Sequence, residues 1–347
     1  MDTKDRILRE LKKAGSCSGA DLARALGISR QAVNAHLRQL CQNGRVRKEG
    51  FTRGTRYSVA EGKEIPPPPH ISRRYRLEGL REDKVFDEVA TLVDLRRQTT
   101  SNAFDIFQYA FTEMLNNAID HSQSEFAEVE LSVESYVCVF SIRDHGIGVF
   151  RSIESKFDLS DETEAVAELL KGKTTTMREK HTGEGIFFTS KAGDMFSLRS
   201  HETKLTIDNA RDETFVGKTR KIQGTEVRFQ LKKNARRSLS DVFAEYAPEE
   251  FDFQFERTRV LVRLYRETYI SRSEAKRLVA GLNRFKEVVL DFQGVRSIGQ
   301  GFADEVFRVF HAAHPEVSFR ITNLDPVLRP IINHVVDNTS VIDLTID

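Results

Sequence analysis

FTEMLNNAIDHS, residues Phe111 to Ser122, sets apolar side chains at helical spacing and threads a glutamate, two asparagines and an Asp-His pair among them. The helix it belongs to starts upstream. SNAFDIFQYAFTEMLNNAIDHS opens at a Ser101 or Asn102 cap and carries Phe104, Phe107, Ala110, Phe111, Met114, Leu115, Ala118 and Ile119 along one stripe. Glu113 and Asn117 stand four residues apart, so they share a face one turn from each other. Polarity confined to one side of a core helix points to a site beside it.

Downstream, EFAEVELSVES and YVCVFSIRDHG alternate like strands, and the second runs into DHGIGVF, Asp144 to Phe150. Gly146 and Gly148 would let the backbone approach a ligand closely, and Asp144 could accept a hydrogen bond from an exocyclic amine. HTGEGIFFTSKAG then places Gly183 and Gly185 before a short apolar helix, whose first N–H groups can bind phosphate. KIQGTEVRFQL sets Gly224 and Thr225 at the start of another alternating strand.

The order of these boxes resembles the ATP-binding domain shared by gyrase, heat-shock chaperones, histidine kinases and MutL, over roughly residues 80–232. That resemblance implies that Asn117 coordinates Mg²⁺ bridging the triphosphate and that Asp144 reads the adenine amino group. Gly146 and Gly148 would shape the adenine pocket, while Thr182, Gly183 and Gly185 would hold phosphates. Thr225 would support the adenine end, and the Arg151–Lys180 region would form a lid. Glu113 would be the general base on the attacking water, or an orienting group in kinase branches. His181 stands where many members have a glycine. In ETEAVAELLKGKTTT, Lys171, Lys173 and Thr174–Thr176 could touch phosphate or belong to a solvated segment. Asn116 is read as ordinary.

At the N-terminal end, Ile7, Leu8 and Leu11 mark one helix, SGADLARALG a second from Ser18 to Gly27, and SRQAVNAHLRQLCQNGRV a third capped by Ser29. RVRKEGFTRGTRYSV follows as two strands around a glycine-containing tip. Residues 1–60 thus resemble winged helix-turn-helix domains. Ser29, Arg30, Gln31, Asn34 and Arg38 on the third helix could meet base edges, and Arg47, Lys48 and Arg53 on the hairpin could neutralise phosphate. A protein-docking role with a solvated charged face is the alternative. Charge favours double-stranded DNA: residues 1–60 hold 13 Lys and Arg against 5 Asp and Glu, the remainder 40 against 47.

EGKEIPPPPHIS reads as an extended spacer over residues 61–72, placing the ATP-binding domain at 73–232. From 240 to 347, strands alternate with helices, implying a small α/β domain. VVLDFQGVRSIGQGFADEVF resembles STAS domains, whose phosphorylatable members carry a serine at the start of the following helix. Gln300 and Gly301 stand there, with Ser297 nearby, which argues against a serine-kinase switch within the chain. The expectation is a binding role, on the ATP-binding domain, a regulatory partner chain or a small ligand, with a stabilising or homodimerising domain as the equal alternative.

The fold expected is therefore multidomain α+β: a winged helix, an α/β sandwich ATP-binding domain with a mixed sheet and helices on one face, and a small STAS-like α/β domain. Cys17, Cys41 and Cys138 lack paired or metal-ligand spacing, and no apolar leader or membrane-length run occurs, so the cytoplasm is expected, with no membrane partner. The function expected is a slowly ATP-hydrolysing, DNA-binding regulator using ATP and Mg²⁺. Alternatives are a serine- or histidine-type kinase of a regulatory partner, related to anti-sigma-factor kinases, and an interaction scaffold. Residues 70–100 offer only His70 as a phosphoacceptor histidine, without a His-Glu or His-Asp motif.

Overall fold

The computed structural model describes residues 2–49, 55–60, 68–159, 161–173, 183–251, 254–264, 268–336 and 344–346. Arg53, Thr174–Thr176, His181 and Thr182 lie outside the described residues, as do 61–67 of the spacer.

Three helices, α1 (Thr3–Ala14), α2 (Gly19–Leu26) and α3 (Arg30–Gln42), precede an antiparallel hairpin of β1 (Val46–Glu49) and β2 (Arg56–Val59). The helix starts follow their caps. Ser18 and Asp21 form a reciprocal capping box on α2, and the Ser29 hydroxyl accepts the Ala32 N–H on α3. Gly27 ends α2 in the left-handed conformation that glycine adopts without strain. Ile7, Leu11, Leu22, Val33, Leu37 and Leu40 close a small core of their own, distinct from that of the rest of the chain.

The middle of the chain is built on seven strands: β3 (His70–Arg76), β4 (Phe126–Val133), β5 (Val137–Asp144), β6 (Met195–Ser200), β7 (Thr203–Asp208), β8 (Glu213–Lys218) and β9 (Thr225–Lys232). Their order is β3-β4-β5-β9-β6-β7-β8, and each neighbouring pair is antiparallel. The expected mixed sheet is therefore corrected to an antiparallel one. The physical reason is the last strand: β9 inserts between β5 and β6 and runs opposite to both. The spacer also ends earlier than expected, because His70–Ser72 already pair with β4 and the Val133 N–H donates to the Pro69 carbonyl.

Helices α4 (Glu82–Leu92), α5 (Leu95–Gln98), α6 (Ser101–His121), α7 (Val149–Phe157), α8 (Glu162–Lys171) and α9 (Gly185–Ala192) complete this region. The α6 helix is capped by Thr100, whose hydroxyl accepts the Ala103 N–H, and buries Phe107, Phe111, Met114 and Leu115 toward the sheet. Phe140 of β5 stacks on Phe229 of β9 with centroids 5.2 Å apart, and Phe107 and Phe111 meet Phe140 at 5.2 and 5.4 Å. Each such ring removes apolar area worth about 1.5–3 kcal/mol from water. The opposite face of the sheet carries Glu128, Arg143, Glu226 and Arg199 in register across four strands.

After α10 (Leu239–Tyr246), a parallel sheet of β10 (Arg257–Leu261), β12 (Glu287–Asp291), β14 (Ser318–Thr322) and β15 (Leu344–Ile346) forms the expected small α/β unit. Two short strands, β11 (Thr268–Tyr269) and β13 (Ser297–Ile298), pair beside it. Its helices are α11 (Arg272–Val279), α12 (Gln300–Ala303) continued by a π-helical turn Asp304–Phe310 and α13 (His311–Ala313), and α14 (Arg329–Val336). The middle and C-terminal regions share one continuous core. Phe187 and Phe188 of α9 reach Tyr246 and Phe255, and Phe255 reaches Phe285 at 5.4 Å.

Candidate functional site

A cavity of about 280 Å³ opens between α6, α7, α8, the start of α9 and the inner face of β5, β6 and β9. Glu113, Asn117, Asp144, Gly148, Gly183, Gly185 and Thr225 all line it, so seven positions scattered over 113 to 225 converge on one space. Gly146 does not line that space. A Cβ on it would drive into the Ser122 carbonyl oxygen, so this glycine lets the β5–α7 turn close against the end of α6, where the Ile147 N–H donates to the same carbonyl.

Asp144 is the buried charge of the site, 5% exposed at the end of β5. Its Oδ1 accepts N–H groups from Gly146 at 2.9 Å and Thr225 at 3.2 Å. Burial raises its pKa above the ordinary carboxylate value, and those two backbone donors oppose the rise. Thr225 links the two glycine turns, its Oγ1 accepting the Val149 N–H at 3.0 Å. Gly148 has φ +84°, and a Cβ there would strike Ser200 Oγ and the His201 ring. A side chain at Gly148 is thus barred by both conformation and space.

At the other end, α6 presents Glu113 and Asn117 one turn apart, as their spacing requires. A Cβ on Gly185 would collide with Glu113 Oε2, which sets that carboxylate against the first residue of α9. Gly185 therefore makes room for Glu113 as well as bordering the cavity. Asn117 Nδ2 is buried and has no hydrogen-bond partner among the described residues. A buried amide without a partner is costly, and a ligand in the cavity is the natural means of satisfying one.

Asn116 lines the cavity too, contrary to its reading as ordinary. Met114, His121, Ser122, Ile142, Ser152, Ile153, Leu169, Ile186, Leu198 and Val227 also line it. Ile142, Leu198 and Val227 are inward positions of alternating strands, legible as core but carrying no chemical signal. Lys171 and Lys173 are both engaged by groups of the protein itself, Lys171 in a buried setting and Lys173 in a part-buried one. Lys171 is 1% exposed and its ammonium pairs with Glu168 and reaches carbonyls of Arg277 and Ala280, while Lys173 reaches Glu256 and the Arg284 carbonyl.

In the N-terminal region, Arg30, Gln31, Asn34 and Arg38 are exposed on α3, along a strip bordering the buried Val33, Leu37 and Leu40. Ser29 is occupied as the helix cap. Arg47 is exposed on β1, and Lys48 beside it pairs with Glu134 of the β4–β5 turn at 3.0 Å.

Residues 1–47 match the family model of winged helix-turn-helix DNA-binding domains, and residues 274–328 match that of a STAS-like domain of unknown function. No curated protein matches the chain. The winged helix suggests DNA binding. Among the described residues no helix is long and apolar enough to cross a membrane.

Proposed function

We propose that the cavity binds ATP with Mg²⁺ and that the chain is a DNA-binding regulator whose nucleotide state controls the disposition of its domains, with slow hydrolysis of the bound ATP. Asp144 carries this reading. A buried carboxylate on a cavity wall, its Oδ1 already taken by two backbone donors, suits a ligand that offers an amine N–H in an otherwise apolar slot of Ile142, Leu198 and Val227. Glu113, Asn117, Gly183 and Gly185, which border the same cavity, suit the charged end of such a ligand.

The donor set fits Mg²⁺ in the manner of phosphate-bound magnesium. Among the described residues no group of three or more His, Cys, Asp or Glu is placed to hold a metal alone. Mg²⁺ needs only one or two protein ligands when phosphates supply the rest. Asn117 is the residue that would hold it, through its amide oxygen, and a flip of the amide exchanges that oxygen with the Nδ2 that has no partner among the described residues. When bound, Mg²⁺ supplies neutralisation of phosphate charge. Glu113, one turn away, would accept the proton of a water held beside the last phosphate. Asp144 would fix the adenine end and so the reach of the triphosphate toward α9.

The winged helix supplies the output, with Arg30, Gln31, Asn34 and Arg38 on the face of α3 that would enter a major groove. Fluorescence anisotropy of a labelled duplex, read with and without ATP and Mg²⁺ in the full chain, tests the whole reading. Nucleotide should shift DNA affinity by about 5-fold or more. Equal affinity in every condition would separate the DNA-binding head from the cavity and remove the regulatory part. Incubation with γ-labelled ATP distinguishes free phosphate, the outcome of hydrolysis, from label transferred to a partner protein.

A further inference from the structure

Seven consecutive residues of α8, Ala165 to Lys171, are buried. A surface helix buries one stripe, and a helix enclosed on every side has a neighbour on each. On one side lies the cavity, lined by Leu169 of α8 and by Val149, Ser152 and Ile153 of α7, against which α8 packs. On the other lies the C-terminal domain.

The contacts with that domain are specific. The Lys171 ammonium pairs with Glu168 and donates to the carbonyl oxygens of Ala280 at 2.9 Å and Arg277 at 3.4 Å, at the C-terminal end of α11. A helix C-terminus carries the negative end of its dipole, so it is a favourable place for a buried cation. The Lys171 carbonyl in turn accepts from Thr258 Oγ1 at 2.5 Å. Two residues on, Lys173 donates to the Arg284 carbonyl at 2.8 Å, and Arg284 Nη1 donates back to the Lys173 carbonyl at 2.8 Å. Gly172 between them has φ +81°, and a Cβ there would collide with the Phe255 ring. Nearer the start of α8, Arg277 Nη1 pairs with Glu164 Oε1 at 3.1 Å.

An ammonium withdrawn from water is tolerated only with hydrogen bonds in good geometry, so these bonds fix the register of α8 against α11. We infer that the C-terminal domain is a positioning element of the cavity: α11 and the turn Leu282–Arg284 hold α8, and α8 holds the wall formed by Leu169, Ser152 and Ile153. This rests on the nucleotide reading of the cavity for its functional consequence. Occupancy of the cavity and any ligand or partner that displaces α11 are then coupled in both directions. Lys171 and Arg277 are positioning residues, acting on the ligand only through the wall.

Arg277→Glu tests this without touching the cavity lining, because it sets a second carboxylate against Glu164. Three quantities are read in the full chain: ATP affinity with Mg²⁺, hydrogen exchange across α7 and α8 without nucleotide, and the melting temperature. The variant should bind ATP roughly 5-fold more weakly or worse and exchange faster across α7 and α8. Adding Glu164→Arg, which restores an ion pair of reversed sign, should recover both. Arg277→Ala, which only deletes the cation, should move both the same way by less. If Arg277→Glu lowers the melting temperature while ATP affinity and exchange match wild type, the domain contributes stability alone and the inference falls. Loss of affinity that the charge swap fails to recover overturns it as well. If wild type itself binds no ATP, the nucleotide reading fails, and the exchange measurement decides: unchanged protection of α7 and α8 overturns the positioning role, and faster exchange rescued by the swap upholds it.

Discussion

Asp144→Asn separates binding from stability more cleanly than any other single change. The substitution keeps volume and keeps a side-chain oxygen to accept the Gly146 and Thr225 N–H groups at 2.9 and 3.2 Å. It replaces the other oxygen with a donor. A charged acceptor for an amine N–H contributes about 1.5–3 kcal/mol, so ATP affinity should fall roughly 10- to 150-fold. The stability effect runs the other way. Burial raises the folded pKa of Asp144, so the protonated carboxyl favours the folded state at acid pH. That contribution is present below the ordinary carboxylate pKa and is lost as pH rises through the folded value. At neutral pH without nucleotide the asparagine variant should therefore melt at or above wild type, and the advantage should vanish at acid pH. Calorimetric titration with ATP and melting curves at the two pH extremes provide the assay. Unchanged ATP affinity would show that the carboxylate does not read the ligand. A large drop in melting temperature at neutral pH would show that its charge holds the turn together.

Other outcomes follow from neighbouring residues. Glu113→Ala should slow hydrolysis by about 10²-fold or more with little change in ATP affinity, and an unchanged rate would remove Glu113 from the chemistry. Gly146→Ala should destabilise by about 1–3 kcal/mol or more, because the new methyl meets the Ser122 carbonyl, a main-chain atom with no room to retreat; a melting temperature equal to wild type would contradict the close approach. Arg38→Ala should weaken DNA binding and reduce the slope of log affinity against log salt by about 0.9 if Arg38 meets phosphate, and an unchanged affinity and slope would remove it from the interface.

Much of this was legible locally. The caps Ser18 and Ser29 and the stop at Gly27 announced the winged helix, and the stripe from Phe104 to Ile119 announced α6, because caps and periodicity are properties of a few adjacent residues. Glu113 and Asn117 could be put on one face from spacing alone. The antiparallel order could not be read, since β9 finds its place between β5 and β6 by pairing across the chain. The surroundings of Lys171 were hidden for the same reason. Its partners at Ala280 and Arg277 lie 109 and 106 residues away, and nothing near KGKTTT tells a lysine reaching for phosphate from one reaching for a helix end. Asn116 escaped because it sits beside the selected Asn117, and a helix one residue wide of its expected face still borders a broad cavity.

The central claim is that ATP occupies the cavity bordered by Asp144, Asn117 and Glu113. Isothermal titration of the purified full chain with ATP in the presence of Mg²⁺ tests it most directly. Saturable binding of one nucleotide per chain, weakened when Mg²⁺ is removed and much weaker for GTP, which presents a carbonyl where adenine presents its amine, is the expected result. Absence of binding, or equal binding of GTP, would contradict the assignment of Asp144 and with it the reading of the site.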